Sequence, residues 1–419
     1  MRVDGTLRVP GDKSISHRAL ILGALAGGTS RVRGLLDAAD IRSTAEVLRR
    51  LGVPLPAVLS GEVVIRGVGL RGLRAPAAEL DCGNSGTTAR LMAGALAASP
   101  FVSQMVGDAS LSRRPMQRLA QPLAAMGAGF DFARGDGLPM TIRGGSLQGL
   151  TWFSEIASAQ VKSALLLAGL VANVPVEVHE SAPTRDHTER MLRARGVDVR
   201  SEGNTASLLP AGRLDAADVT IPGDPSSAAF FAALAALAGS GSIEMDGVLV
   251  NPGRSGAFRV LDRMGVTVAF EDVRADHGEP VARLVVCPGM LRGVTIAPDE
   301  ISGLIDELPV LACVAARAAG ETRVTGAAEL RLKESDRIAG TVTNLRAIGA
   351  DAEELPDGFV ILGSDRPLRG LVRTRGDHRI AMAFGVLGAV GGNAIEIDDR
   401  GCVDVSYPGF WSDLARVAH

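Results

Sequence analysis

Lysine is nearly absent: of 44 basic residues, only Lys13, Lys162 and Lys333 are lysines. Where positive charge alone suffices this chain uses arginine, so each surviving lysine marks a position that calls for a compact ammonium with an adjustable pKa. Aromatic residues make up only 3% of the 419, with one Tyr and two Trp, which removes the stacking platforms that single-stranded nucleic acid needs. No nucleic-acid partner is expected. The four cysteines, Cys82, Cys287, Cys313 and Cys402, lack CxxC spacing, which excludes a disulfide scaffold and the common zinc ribbons. The opening MRVDGTLRVPGDKS has no apolar signal stretch, and with the cysteine usage this predicts a reducing cytoplasm. Net charge is −3, too small for a broad field that attracts polyanions; any anion site must be a pocket. The longest uncharged run, from Pro225 to Ile243, opens on proline and closes on Gly239 to Gly241. It leaves about 13 helical residues, or roughly 20 Å against a bilayer core of about 30 Å, so a buried helix is expected and no membrane.

What the chain does contain is repetition. At 46% hydrophobic and 22% charged it can build large cores, and its length predicts two domains. VPGDKSISHRALILGALAGGTS from Val9 aligns without gaps to IPGDPSSAAFFAALAALAGSGS from Ile221, an offset of 212. A finer unit, a Gly/Ser/Asp-rich turn followed by an Ala/Leu-rich helix, begins near Gly11, Gly83, Glu155, Gly223, Ile305 and Gly376, at spacings of 72, 72, 68, 82 and 71. Each is followed by an amphipathic helix, and five of these end alike, at Gly52, Gly127, Gly196, Gly265 and Gly349, where glycine serves as a left-handed cap. With the short β-rich runs between helices, this gives a β-α-β-α-β-β unit of roughly 70 residues. Six units predict an α/β fold of two similar domains with three units each, apolar helices inside and strands outside. The duplicated Pro-Gly-Asp turns suggest crossovers, with domain A at 1–12 and 224–419, domain B at 13–223, and the active site in the cleft between them.

The charged residues gather at the repeat turns. GDKSISHR opens a helix with Lys13, Ser14 and Arg18, a cradle for an anion at free backbone N–H groups. GNSGTTAR repeats the theme with Asn84, Gly86, Thr87 and Arg90, SLSRRPMQR adds Arg113 and Arg114 at a helix start, SAPTRDHTER adds Arg185, and RGDHRIAM supplies His378 and Arg379. In LRLKESDR, Lys333 and Arg337 stand four apart and are expected on one helix face beside Glu334. About eight cationic side chains exceed what one phosphate needs; two doubly anionic ligands would use them. Among them, Asp306 and Glu334 are the candidates for proton transfer. No Gly-Lys-Ser/Thr occurs, no GxGxxG follows a strand, and the six histidines lack HxxxH or HExxH spacing. ATP, a dinucleotide and a metal are therefore not implied.

PGDKSISHRALILGALA, GNSGTTAR, GDASLSRRPM, SAQVKSALLLAGL, LKESDRI and GDHRIAM together resemble the 5-enolpyruvylshikimate-3-phosphate (EPSP) synthase family over the whole chain. The resemblance implies an inside-out α/β barrel in each domain and transfer of the enolpyruvyl group of phosphoenolpyruvate to the 5-hydroxyl of shikimate 3-phosphate, by addition and elimination. It implies no metal or organic cofactor, small-molecule substrates only, and a monomer. Carried over by motif, Lys13, Ser14, Arg18, Ser158, Ala159, Gln160, Arg185, Asp306 and Lys333 would hold shikimate 3-phosphate. Lys13, Gly86, Arg114, Gln160, Arg337 and Arg379 would hold phosphoenolpyruvate, with Asp306, Glu334 and Lys13 as the catalytic groups. The herbicide glyphosate would occupy the phosphoenolpyruvate site. One departure stands near the C-terminus, where some members have a lysine and this chain has Val405. The sister transferase acting on UDP-N-acetylglucosamine is the nearest rival, but the loop GDASLSRRP lacks its cysteine. A non-catalytic anion- or RNA-binding repeat protein would keep the cations without needing Asp306 and Glu334.

Overall fold

The computed structural model describes residues 1–57 and 61–419. The chain divides into two compact units. Unit A comprises Met1–Pro10, Pro222–Ala275 and Pro280–His419; unit B comprises Gly11–Ile221 together with Asp276–Glu279. Unit B carries helices α1 (Lys13–Leu25), α2 (Ala39–Arg50), α3 (Gly86–Ala97), α4 (Gln117–Ala125), α5 (Ala159–Ala172) and α6 (His187–Arg193). Unit A carries α7 (Pro225–Ala236), α8 (Gly256–Arg263), α9 (Leu308–Ala315), α10 (Arg337–Ala347), α11 (His378–Gly388) and α12 (Phe410–Val417). The odd-numbered helices are the Ala/Leu-rich ones and form the inside of each unit. Every residue of α7 is buried, and among the described residues no helix is long and apolar enough to cross a membrane.

Short polar side chains fix where the inner helices begin. Asp12 Oδ1 accepts from the Ile15 N–H (2.7 Å), Ser85 from Thr88 (3.1 Å), Ser158 from Val161 (3.4 Å), Asp224 from Ser226 (2.7 Å) and Asp377 from Arg379 (3.0 Å). Each satisfies a donor that the first helical turn leaves without a partner. α9 starts differently: it follows two 3-10 turns, Pro298–Gly303 and Ile305–Glu307, with Pro309 in its first turn. Small residues then let inner helices approach closely. A Cβ on Gly94 of α3 would lie 2.2 Å from the Ala164 carbonyl oxygen of α5, so here one helix backbone touches the next. Gly52, Gly127, Gly196, Gly265 and Gly349 all have positive φ, the left-handed caps that the sequence predicts.

One strand pattern recurs. Leu80–Asp81, Val102–Val106, Met140–Arg143 and Gly129–Phe132 lie side by side in that order, the first pair parallel and the others antiparallel. Leu150–Ser154, Val176–Glu180, Thr205–Leu208 and Val199–Glu202 repeat it, as do Thr295–Ile296, Glu321–Val324, Gly358–Leu362 and Asp351–Leu355. Of the three remaining repeats, the last pairs only Arg369–Val372 with Ala394–Ile397, in parallel, and the other two borrow a strand from far along the chain. Arg2–Leu7 runs parallel to Ser240–Leu249 in unit A, and Val219–Thr220 runs parallel to Gly27–Arg33 in unit B. His419 also exchanges two backbone hydrogen bonds with Arg2, 3.0 Å each.

Candidate active site

In unit B, α3 packs against both α1 and α5, and Lys13, Ser14, Gly86, Ala159 and Gln160 lie in the first turns of these helices. Lys13 Nζ pairs with Asp40 at 3.0 Å. Arg18, one turn further along α1, is buried and donates to Thr188 Oγ1 (2.7 Å), Ser163 Oγ (2.8 Å) and the Ser14 carbonyl (3.0 Å). Burial pulls its pKa down to about 10; Glu189 and Asp12 act against this, while the nearby positive charge of Arg185 adds to it. An anion beside Arg18 would offset that neighbouring positive charge. Ser158 caps α5, Ala159 is its first residue, and Gln160 follows. Gln160 accepts from Arg90 Nη1 (2.8 Å) and donates to Thr87 Oγ1 (3.1 Å).

Gly86 opens α3 beneath two guanidinium groups. A Cβ there would stand 2.8 Å from Arg90 Nη1 and 3.2 Å from Arg114 Nη1, so the missing side chain is what admits both cations. Arg114 donates to Asn84 Oδ1 at 2.7 Å. It is not at a helix start: the 3-10 turn Leu111–Arg113 precedes it and α4 begins three residues later, at Gln117. Arg113 is exposed while Arg114 is buried, so of the adjacent pair only one belongs to the cluster.

Unit A gathers Asp306, Lys333, Glu334, Arg337 and Arg379. The expected helix through Lys333 and Arg337 does not form. The 3-10 turn Ala328–Leu332 ends before Lys333, and Asp336 accepts from the Ala339 N–H at 3.0 Å, starting α10 only at Arg337. The two cations meet all the same, because each donates to Asp306 Oδ1 at 3.2 Å. Arg337 is almost wholly buried between three carboxylates: Glu334 at 2.6 Å, Asp377 at 2.8 Å and Asp306. Burial alone would lower its pKa, but Asp377, Glu334 and Asp306 outweigh it and hold the guanidinium charged. Asp377 is held ionised in return: Arg337 overcomes the upward push of its burial. Arg379 Nη1 donates to the Asp306 carbonyl (3.0 Å) and meets Glu307 Oε1 at 3.4 Å.

Several participants escaped the sequence. Asp40, Asp377, Glu307, Ser163 and Thr188 fix the named cations, and only Asp377 left a trace, as the Asp before a helix in GDHR. Arg90 was visible as the lone charge in TTARLMAGALA, although its grip on Gln160 was not. Val405 ends the 3-10 turn Gly401–Val405 in unit A. The folded chain also brings together Asp186, His187 and Glu279, a group whose atoms could ligate a cation. Arg190 Nε already sits there, 2.8 Å from Asp186 and 3.8 Å from Glu279.

A model of the EPSP synthase family, 3-phosphoshikimate 1-carboxyvinyltransferase, matches residues 1–414. The chain belongs to this family. It is 47% identical to the 3-phosphoshikimate 1-carboxyvinyltransferase of Sulfurihydrogenibium sp. strain YO3AOP1 over 423 aligned residues, covering all of this chain and 98% of that one. A solved EPSP synthase from Acinetobacter baumannii is 43% identical with a TM-score of 0.88, covering 100% of this chain and 96% of that one. The enolpyruvyl transferase NikO from Streptomyces tendae, 19% identical with a TM-score of 0.76 over 99% of this chain and 95% of that one, shares the fold. Membership makes this an enzyme, a transferase of the shikimate pathway in aromatic biosynthesis that uses phosphoenolpyruvate. The sister activity on UDP-N-acetylglucosamine and a non-catalytic repeat protein are both disfavoured.

Proposed function

We propose that the two clusters are the halves of one active site that joins phosphoenolpyruvate to shikimate 3-phosphate, each unit acting as a domain. Lys13, Ser14, Arg18, Ser158, Ala159, Gln160 and Arg185 of unit B, with Asp306 and Lys333 of unit A, hold shikimate 3-phosphate. Lys13, Gly86, Arg114 and Gln160, with Arg337 and Arg379, hold phosphoenolpyruvate. Asp306, with Lys13, removes the proton of the 5-hydroxyl as its oxygen attacks C2 of phosphoenolpyruvate, and Glu334 delivers a proton to C3. A proton then returns from C3 to Glu334 as phosphate leaves C2, which restores the double bond. Arginines carry the charge that develops on carboxylate and phosphate. The observation that carries this reading is Arg337, which touches both Asp306 and Glu334 (3.2 and 2.6 Å): one buried cation holds both carboxyl groups in place. The enzyme works as a cytoplasmic monomer, a reading supported by its four unpaired cysteines and by a substrate set of small anions.

Phosphate release from phosphoenolpyruvate tests this directly. It should require shikimate 3-phosphate and not respond to UDP-N-acetylglucosamine. Asp306→Asn and Glu334→Gln should each lower kcat by about 10²-fold or more, the usual scale for a positioned acid or base, with the substrates still bound. Either variant turning over at the wild-type rate would remove that residue from the mechanism.

A further inference from the structure

Lys162 is the one lysine that the mechanism leaves unused, and it is the most deeply buried of the three. It lies in the first turn of α5, its side chain only 4% exposed, with Nζ 2.6 Å from Glu180 Oε2 and 2.8 Å from Glu189 Oε1. Glu180 and Glu189 are 5% and 1% exposed. Burial favours a neutral amine, but the two carboxylates outweigh it and the pKa is raised, so the ammonium stays charged. A buried ion cluster of this kind is weak evidence for stability, because desolvation consumes most of what attraction supplies. Its value lies in what it fixes.

Two members of the triad adjoin the residues that hold Arg18. On α5, Lys162 precedes Ser163; on α6, Glu189 follows Thr188. Ser163 and Thr188 are the two hydroxyl acceptors of Arg18, at 2.8 and 2.7 Å, and they bond to each other at 2.8 Å. The Lys162–Glu189 pair therefore sets the spacing of α5 and α6 at the level where Arg18 is gripped. The other arm reaches the segment before α6: Glu180, at the end of the strand Val176–Glu180, accepts from Thr184 Oγ1, and Thr184 immediately precedes Arg185. Glu189 is also the strongest opposing charge on Arg18, and Arg185 is close enough to repel it. One ammonium thus ties together the segments that carry both arginines. At this position the surviving lysine puts a compact ammonium with three donors between two carboxylates.

We propose that Lys162 is a positioning residue, holding Arg18 and Arg185 converged on the anionic groups of shikimate 3-phosphate through Glu189 and Glu180. The proposal rests on the assignment of those arginines to that substrate. Lys162→Met alone leaves two carboxylates buried without their cation and can fail to fold, so the deciding variant is Lys162→Met/Glu180→Gln/Glu189→Gln, which removes the charges together. It should fold, and calorimetry with shikimate 3-phosphate alone should show a Kd raised about tenfold, the scale of one weakened charge-assisted hydrogen bond. KM for phosphoenolpyruvate should stay within about twofold, which a general loss of structure would not allow. Adding Arg18→Gln to the triple variant should raise Kd by less than the product of the separate effects, since both act through one guanidinium. Wild-type affinity in the triple variant, or full multiplicativity with Arg18→Gln, overturns the role of Lys162. Wild-type affinity in Arg18→Gln alone overturns the assignment of Arg18 instead.

Discussion

At the scale of single residues the sharpest test is Gly86. A methyl group there meets Arg90 and Arg114 at 2.8 and 3.2 Å, both of them flexible guanidinium ends that can shift, so Gly86→Ala should fold. The displaced Arg114 then intrudes on the pocket assigned to phosphoenolpyruvate. Glyphosate, which is longer, should lose roughly 1–3 kcal/mol of binding, on the scale of overpacking a tight site, while KM for phosphoenolpyruvate rises less. Wild-type inhibition should be competitive with phosphoenolpyruvate. Equal fold-changes in the two constants would show that the methyl does not discriminate by ligand length. The need for glycine at this turn was legible in GNSGTTAR. The cause was not: the crowding comes from Arg90, four residues on, and Arg114, 28 residues on, and only the fold places both above it.

The first turns of the inner helices concentrate both function and strain on solvation. His17, in α1, is fully buried, its Nδ1 2.7 Å from Thr44 Oγ1. Burial lowers its pKa well below 6.5, and the charges of Lys13 and Arg18 lower it further. The unfolded chain therefore binds a proton that the folded chain refuses, and stability falls as pH drops through about 6.5, by at most about 1.4 kcal/mol per pH unit. His17→Asn should flatten this fall: the loss of thermal stability between pH 7.5 and 5.5 should be smaller than in wild type, and an equal loss would assign it elsewhere. Sequence reading did well at this scale wherever the signal was local. Glycine caps, apolar inner helices and their spacing were all visible, because each depends on neighbours in the chain. It failed in LRLKESDR, where spacing four apart suggested one helix face. Asp336 caps the N–H of Ala339 and delays the helix, so Lys333 and Arg337 reach Asp306 from different segments.

For the molecule as a whole, the proposed ligands of shikimate 3-phosphate divide between the units, and a ligand that binds both must restrict them. Small-angle scattering should show a smaller radius of gyration when shikimate 3-phosphate is added alone; an unchanged radius, with binding verified by calorimetry, would contradict shared ligation. The borrowed strands carry a different consequence, for synthesis. Unit B is complete once Ile221 has been made, apart from the four residues Asp276–Glu279. In unit A, Arg2–Leu7 pairs with Ser240–Leu249 and is bridged at Val3 to Ala418, both made long after it. At about 5–20 residues per second, this strand waits on the order of tens of seconds for its final neighbour. Its polar edges are meanwhile open to other chains. A strand made before both of its neighbours is secured only when the second has been made, and a nascent chain stalled beyond Ile221 would present unit B, all but four residues of it, tethered to a strand without its sheet.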